Sequence, residues 1–310
     1  MKIGIDLGGM SIKAGLIDDA LQIVHKESVP TDTQNGKEKL ASDIVELIES
    51  VRRKYPEVEI SGVGIGVPGH VDKNNGLVYN CNNIPLEHIN LHEFVNARTG
   101  LAAWIDNDAN VAALGEVLAG AARNYSDAVL ITIGTGIGSG IVLNNQIYRG
   151  CNGAAGELGH DVIVAGGRPC NCGRRGCYEQ YASATALIED TRAAMRANPD
   201  SLLWSLVEHD LQKVNGKTAF DAWRQGDPVG TTVVEAFIYY LGVGIINIIN
   251  NLQPEAIIIG GGISKEGDTL LNLLAPIVAH ERYSQAGVQT ELVIAALGND
   301  AGIIGASQII

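Results

Sequence analysis

Three polar residues in succession, Asp106-Asn107-Asp108, stand between an apolar run and an amphipathic stretch that opens with Ala109-Asn110. A carboxylate at the end of a strand can accept the proton of a bound hydroxyl, and a carboxamide beside it can orient the same substrate. Helix capping is the plain alternative, because Asp and Asn are favoured N-caps. One cap accounts for one of the three residues. Asp108 is therefore the candidate general base, with Asn107 as its companion at the substrate.

A second cluster carries different chemistry. His160, in Gly156-Glu157-Leu158-Gly159-His160, precedes Cys170-Asn171-Cys172 and then Cys177-Tyr178-Glu179. One imidazole and three thiols at this spacing can close a tetrahedral zinc site on a loop, and four protein ligands leave no open position, so the metal would be structural. Glu157 and Glu179 flank that loop and would be held by it. The chain has five cysteines. The other two, Cys81 and Cys151, read as small buried hydrophobes.

Glycine turns supply a third signal. Asp6-Leu7-Gly8-Gly9 ends an apolar run, where the carboxylate can hold a hydrated Mg²⁺ and backbone amides can approach phosphate oxygens. Gly134-Thr135-Gly136-Ile137-Gly138-Ser139-Gly140 offers a similar concavity. Ser139 stands where a dinucleotide fingerprint needs its third glycine, and another strand follows in place of a helix, so the dinucleotide reading fails. Gly260-Gly261-Gly262 after Ile257–Ile259 is a weaker turn that can pass under a purine or ribose.

The elements that must position these groups follow from periodicity. Ile3–Leu7, Ser11–Ile17 and Leu21–Val29 read as strands joined by tight turns, and Ala128–Ile133, Ile141–Leu143 and Gln146–Tyr148 repeat the pattern. Helices are predicted near 37–54, 109–122, 182–197, 219–224, 229–252, 268–282 and 299–307. Strands are predicted near 60–67, 101–106, 256–259 and 290–295. This is an α/β chain with a duplicated core, and two glycine hairpins in equivalent places can clamp one triphosphate. The predicted division is 1–117 as a small domain with 298–310 packing back on it, and 118–297 as a larger domain carrying the cysteine loop.

With 310 residues, two domains fit better than one. Twenty-two basic against 35 acidic residues give a net charge of -13, which argues against a nucleic-acid or anionic-membrane binder. No signal segment is visible at the N-terminus. The longest nearly apolar stretch, Ala236–Ile246, falls short of the ~20 residues a membrane span needs. The expectation is a cytoplasmic protein.

Together these residues resemble the ROK family of sugar kinases and repressors, within the actin-like ATPase (RNase H-like) superfold. The resemblance extends over the whole chain, and the His160 to Cys177-x-Glu179 pattern is its most specific part. It implies two domains closing over an interdomain cleft, and transfer of the ATP γ-phosphoryl group to a hexose, glucose first, by a homodimer. Asp108 would be the base. Asn83, Asn107, Glu157, His160 and Glu179 would bind sugar hydroxyls, and Asp6, Gly8, Gly9, Thr135, Gly136, Gly138, Gly261 and Gly262 would hold ATP and Mg²⁺. His160, Cys170, Cys172 and Cys177 would hold Zn²⁺. A kinase for N-acetylmannosamine or allose is the nearest alternative. A family repressor is disfavoured, since repressors carry an added N-terminal helix-turn-helix and the first strand here begins at residue 3. Met10 stands where the family usually has Thr, and Leu86-Glu87-His88 stands where Gly-Trp is common.

Overall fold

The computed structural model describes residues 1–81 and 84–310. The chain runs β1 (Lys2–Leu7), β2 (Ser11–Ile17), β3 (Ile23–Pro30), α1 (Gly36–Lys54), β4 (Val63–Val67), β5 (His70–Asp72), β6 (Leu77–Asn80) and β7 (Ile89–Asn90). Then come α2 (Leu91–Thr99), β8 (Ala103–Asn107), α3 (Asp108–Ala119), β9 (Ala128–Ile133), β10 (Ile137–Leu143) and β11 (Gln146–Ile147). They are followed by α4 (Glu179–Ala182), α5 (Ala184–Ala197), α6 (Leu202–Leu206), α7 (Thr218–Arg224) and α8 (Pro228–Leu252). β12 (Ala256–Gly261), α9 (Asp268–Glu281), β13 (Glu291–Ile294) and α10 (Ala301–Ala306) complete the chain.

The first sheet has the order β3-β2-β1-β4-β8. β1 pairs antiparallel with β2, as β2 does with β3, whereas β1–β4 and β4–β8 are parallel. The second sheet has the order β11-β10-β9-β12-β13, with β10–β11 antiparallel and β12–β13 parallel. A hairpin-fed edge followed by two further strands thus occurs twice, as the paired glycine hairpins predict.

The chain divides into two compact units. One comprises Met1–Leu130, Gly140–Gly156 and Ala295–Ile310, and the other Ile131–Ser139 and Glu157–Ile294. In the first, buried Ile3, Ile5 and Leu7 of β1 share a core with Leu40, Ile44, Ile48 and Val51 of α1. Those α1 positions recur at helical spacing, so one face is apolar throughout. Parallel pairing sets Asp6 opposite Gly66 and Gly66 opposite Asp106, so the two carboxylates occupy one row at the C-terminal ends of β1 and β8. Strand ends of this kind are where open α/β sheets hold ligands.

Helix α10 lies on β1 and β4 and against α3. A Cβ added at Gly4, Gly64, Gly115 or Gly305 would overlap the backbone carbonyl of Ile303, Ala306, Ala301 or Val111 respectively. Backbone therefore packs on backbone, which only glycine permits. Glycine at these positions serves the packing of α10 on the sheet and against α3.

In the second unit, α8 begins with Pro228 in its first turn, and the Asp227 carboxylate accepts the Gly230 amide at 2.7 Å. At 25 residues it is long and apolar enough to cross a membrane, against the sequence estimate of a shorter stretch, and 61% of its apolar window is buried within the protein. The small sheet β5-β6-β7 and helices α2 and α6 had no sequence prediction. Strands of three, four and two residues are too short to display a period of two.

Candidate active site and metal centre

The row of strand ends in the first unit separates into residues with distinct jobs. Asp106 is 2% exposed. Its Oδ1 accepts the Asn107 amide at 2.8 Å and Asn110 Nδ2 at 2.9 Å, and its Oδ2 meets Arg149 Nε at 2.6 Å and Nη2 at 2.5 Å. A carboxylate so fully occupied is scaffold.

Asn107 is the N-cap of α3. Its side-chain oxygen accepts the amides of Ala109 at 2.9 Å and Asn110 at 3.2 Å, while Nδ2 donates to the Gly69 carbonyl at 3.1 Å. One amide hydrogen remains for a substrate oxygen. Asp108 opens the helix, half-buried, with Oδ1 accepting the Ala109 amide at 2.9 Å. An anion in a first helical turn is favoured by the helix dipole. Nearby, burial pushes the Cys81 thiol up to about 12, and the Asp108 charge adds to the effect. Cys81 therefore stays protonated beside a carboxylate. Cys151, expected in the core, is exposed.

Asp6 accepts Lys13 Nζ at 2.8 Å through Oδ2. Any side chain at Gly302 would press on its carboxyl group. The adjoining turn is closed by the Gly8 amide on the Ser11 carbonyl at 3.0 Å. Thr31 secures it further, its Oγ1 donating to Gly8 O at 2.6 Å and its amide to Met10 O at 3.1 Å. Met10 is 91% exposed and presents its thioether at this turn. The other departure, Glu87-His88, is held by Lys37 Nζ, which donates to both carbonyls at 3.3 and 3.2 Å. Asn83 lies outside the described residues.

In the second unit, His160, Cys170, Cys172 and Cys177 bring their ligand atoms within 4.8 Å of one another. Cys172 and Cys177 sulfurs are 3.6 Å apart, and Cys170 Sγ is 3.6 Å from His160 Nδ1. Zinc bonds of about 2.3 Å to sulfur and 2.0 Å to nitrogen, at tetrahedral angles, place such pairs roughly 3.5–3.8 Å apart. The donor set fits zinc in type and in spacing. The Arg174 backbone amide bonds to the Cys172 sulfur and lowers that thiol's pKa, whereas burial pushes Cys177 up to about 12.

Glu179 joins the cluster to its surroundings. Oε1 accepts the Cys170 thiol at 3.2 Å and Gln180 Nε2 at 3.3 Å, and stands 3.8 Å from His160 Nδ1. Glu157 is exposed at the head of the short turn Leu158–His160. Ser139, which broke the dinucleotide fingerprint, is buried and accepts the Leu158 amide at 3.1 Å, fixing that turn.

The second glycine loop is shorter than predicted. The Gly134 amide donates to Gly136 O at 3.0 Å, and Thr135 is exposed at the tip. β10 begins at Ile137, so Gly138 lies in a strand and not in the turn. Gly261 takes φ +83° at the end of β12, where a Cβ would overlap the Ile133 backbone. Arg149 was not singled out from the sequence, since a lone Arg after a hairpin carries no motif.

Two sheets of one repeated order, with carboxylates at strand ends and glycine turns beside them, define an actin-like ATPase fold. The chain belongs to the ROK family, whose sequence model matches residues 2–310. It is 39% identical to a glucokinase of Halalkalibacterium halodurans over 99% of this chain and 94% of that protein. A ROK family glucokinase from Streptomyces griseus, solved in complex with glucose and AMPPNP, matches with a TM-score of 0.82 and 33% identity, over 99% of this chain and 98% of that one. The xylose repressor of Bacillus subtilis is 30% identical over 99% of this chain and 76% of its own length.

Proposed function

We propose that this chain phosphorylates glucose with ATP, by in-line transfer of the γ-phosphoryl group to the sugar's primary hydroxyl. The observation that carries the reading is full-length similarity to glucokinases, one of them solved with glucose and an ATP analogue. Phosphoryl transfer proceeds through a loose transition state, so the protein's work is positioning and charge neutralisation.

Asp108 orients the sugar hydroxyl and takes its proton. Its support is the α3 cap: Asn107 fixes the first turn with its oxygen and offers its remaining amide hydrogen to a sugar oxygen. Glu157, Glu179 and the Nε2 of His160 serve the other hydroxyls, together with Asn83. The Gly8 and Gly134 amides close their own turns, and the turns so shaped offer the amides of Gly9, Thr135 and Gly136 to phosphate oxygens, with Gly138 behind the second turn and Gly261-Gly262 for the nucleoside. Asp6 is the carboxylate for a hydrated Mg²⁺, which neutralises phosphate charge when bound. In the free protein Lys13 balances that carboxylate.

His160, Cys170, Cys172 and Cys177 hold a structural zinc, which supplies rigidity to the loop carrying Glu179. The His160 ring then serves twice: Nδ1 faces the thiols and Nε2 is left for the sugar. ATP-dependent turnover of a hexose panel tests the reading. Absence of glucose-dependent ADP release from zinc-replete protein would overturn it.

A further inference from the structure

We infer that Arg149 is a positioning residue for phosphoryl transfer: it sets the geometry of Asp108 through Asp106, and it does so with the planar fork of its guanidinium. The inference rests on the assignment of Asp108 as base.

Arg149 lies two residues beyond β11, yet it reaches the end of β8. Its Nε and Nη2 both meet Oδ2 of Asp106, at 2.6 and 2.5 Å, while Nη1 donates to the Ile147 carbonyl at 3.1 Å. All three guanidinium nitrogens therefore have an acceptor, two of them the same Asp106 oxygen at the end of β8 and the third a carbonyl of β11. Its own carbonyl accepts the Ala155 amide at 3.1 Å, which closes the loop that follows. His70 Nε2 meets the same loop at Asn152 O, 3.0 Å away.

Asp106 passes this constraint on. Its second oxygen takes the Asn107 amide and the Asn110 side chain, which flank Asp108 on either side in sequence. The Asp108 backbone is thus held from both directions by one buried carboxylate, and that carboxylate is held by Arg149. A buried Asp without its cation would be an uncompensated charge beside a second carboxylate. A misplacement of about 1 Å at a reacting group costs on the order of 10²-fold in rate. Lysine could neutralise Asp106 but presents one ammonium where two nitrogens now meet a single oxygen and a third meets a carbonyl.

The test uses the full chain with Arg149→Lys, Arg149→Met, Asp106→Asn and the Arg149→Met/Asp106→Asn double variant. It reads kcat, KM for ATP and for glucose, calorimetric glucose affinity and thermal midpoint. Arg149→Lys is expected to lose about tenfold in kcat, with KM for ATP within about twofold of wild type. Arg149→Met is expected to lose about a hundredfold. The double variant is expected to lose no more than the worse single variant, because the two residues act as one unit. Additive losses, or an Arg149→Lys enzyme with unchanged kcat, would overturn the proposal. Should Arg149→Met fail to fold, the Arg149→Lys kcat and the double variant, whose buried pair is neutral, carry the decision. Asp108→Asn is measured in parallel. If that variant remains active, the base assignment has failed independently of whether Arg149 and Asp106 are coupled.

Discussion

Gly136 lies so close to Glu179 that one added Cβ would take the space of the carboxylate's Oε2. The glycine of the 134–136 turn is therefore required by its neighbour as well as by any phosphate. Gly136→Ala should displace Glu179 from Cys170 and His160 while leaving the four metal ligands in place. Overpacking of this kind costs about 1–3 kcal/mol. The expected outcome is a rise of about tenfold in the glucose dissociation constant, with bound metal retained, read by calorimetry beside metal analysis. Unchanged glucose affinity would show that Glu179 does not bear on the sugar.

Asp108→Asn should abolish turnover and leave glucose binding near wild type. The amide keeps the shape and its oxygen can still accept the Ala109 amide, but it cannot take the hydroxyl proton. General-base catalysis contributes about 10²–10⁴-fold. Single-turnover phosphorylation beside calorimetric binding decides it. Retention of more than about a tenth of wild-type rate would remove Asp108 from the role.

The purified protein should contain about one zinc per chain, as a closed Cys₃His site requires. Cys172→Ala removes a ligand whose sulfur sits 3.6 Å from that of Cys177, and should release the metal and loosen Glu179. Metal analysis of protein never exposed to chelator is the measurement. A zinc-free preparation that still binds glucose tightly would sink the assignment.

Glu116 is fully buried and accepts three backbone amides, from Ala121 at 2.8 Å, Ala296 at 3.1 Å and Leu297 at 2.8 Å. It ties the end of α3 to the segment entering α10. Glu116→Ala leaves those donors without an acceptor, and each buried unsatisfied donor costs about 1–3 kcal/mol. A loss of roughly 3 kcal/mol or more in chemical denaturation is expected, with Glu116→Gln intermediate. A change under about 1 kcal/mol would mean that water replaces the carboxylate.

Much of this was legible in the sequence because the signals are local. The strand-glycine-strand hairpins, the helical spacing of Leu40, Ile44 and Ile48, and the His-Cys spacing each declare themselves within a few residues. What was not legible depends on partners distant in sequence. Arg149 matters only because β8 ends beside it, and Glu116 only because Ala296 and Leu297 return to α3. In the Asp106-Asn107-Asp108 run, residue type alone named Asp108 as base and Asn107 as its companion and gave Asp106 no role. Burial and hydrogen bonding separate the run into scaffold, cap and a half-buried carboxylate, a division that no pattern of residue types could reveal.

Glucose should be the best substrate, with 2-acetamido sugars much poorer. Glu157 is exposed at the head of its turn and Glu179 is 3.8 Å from the His160 ring, so carboxylates are available as acceptors for neighbouring hydroxyl donors. An acetamide at C2 replaces a hydroxyl donor with a bulkier group, which would leave an acceptor unpaired or collide with it. Sites built on hydrogen bonds to hydroxyls can reject an analogue lacking them by up to about 10⁴–10⁵. Comparing kcat/KM for glucose, mannose, allose, N-acetylglucosamine and N-acetylmannosamine is the deciding experiment. If N-acetylmannosamine proves best while Asp108→Asn remains dead, the phosphoryl-transfer mechanism stands and the sugar assignment is wrong.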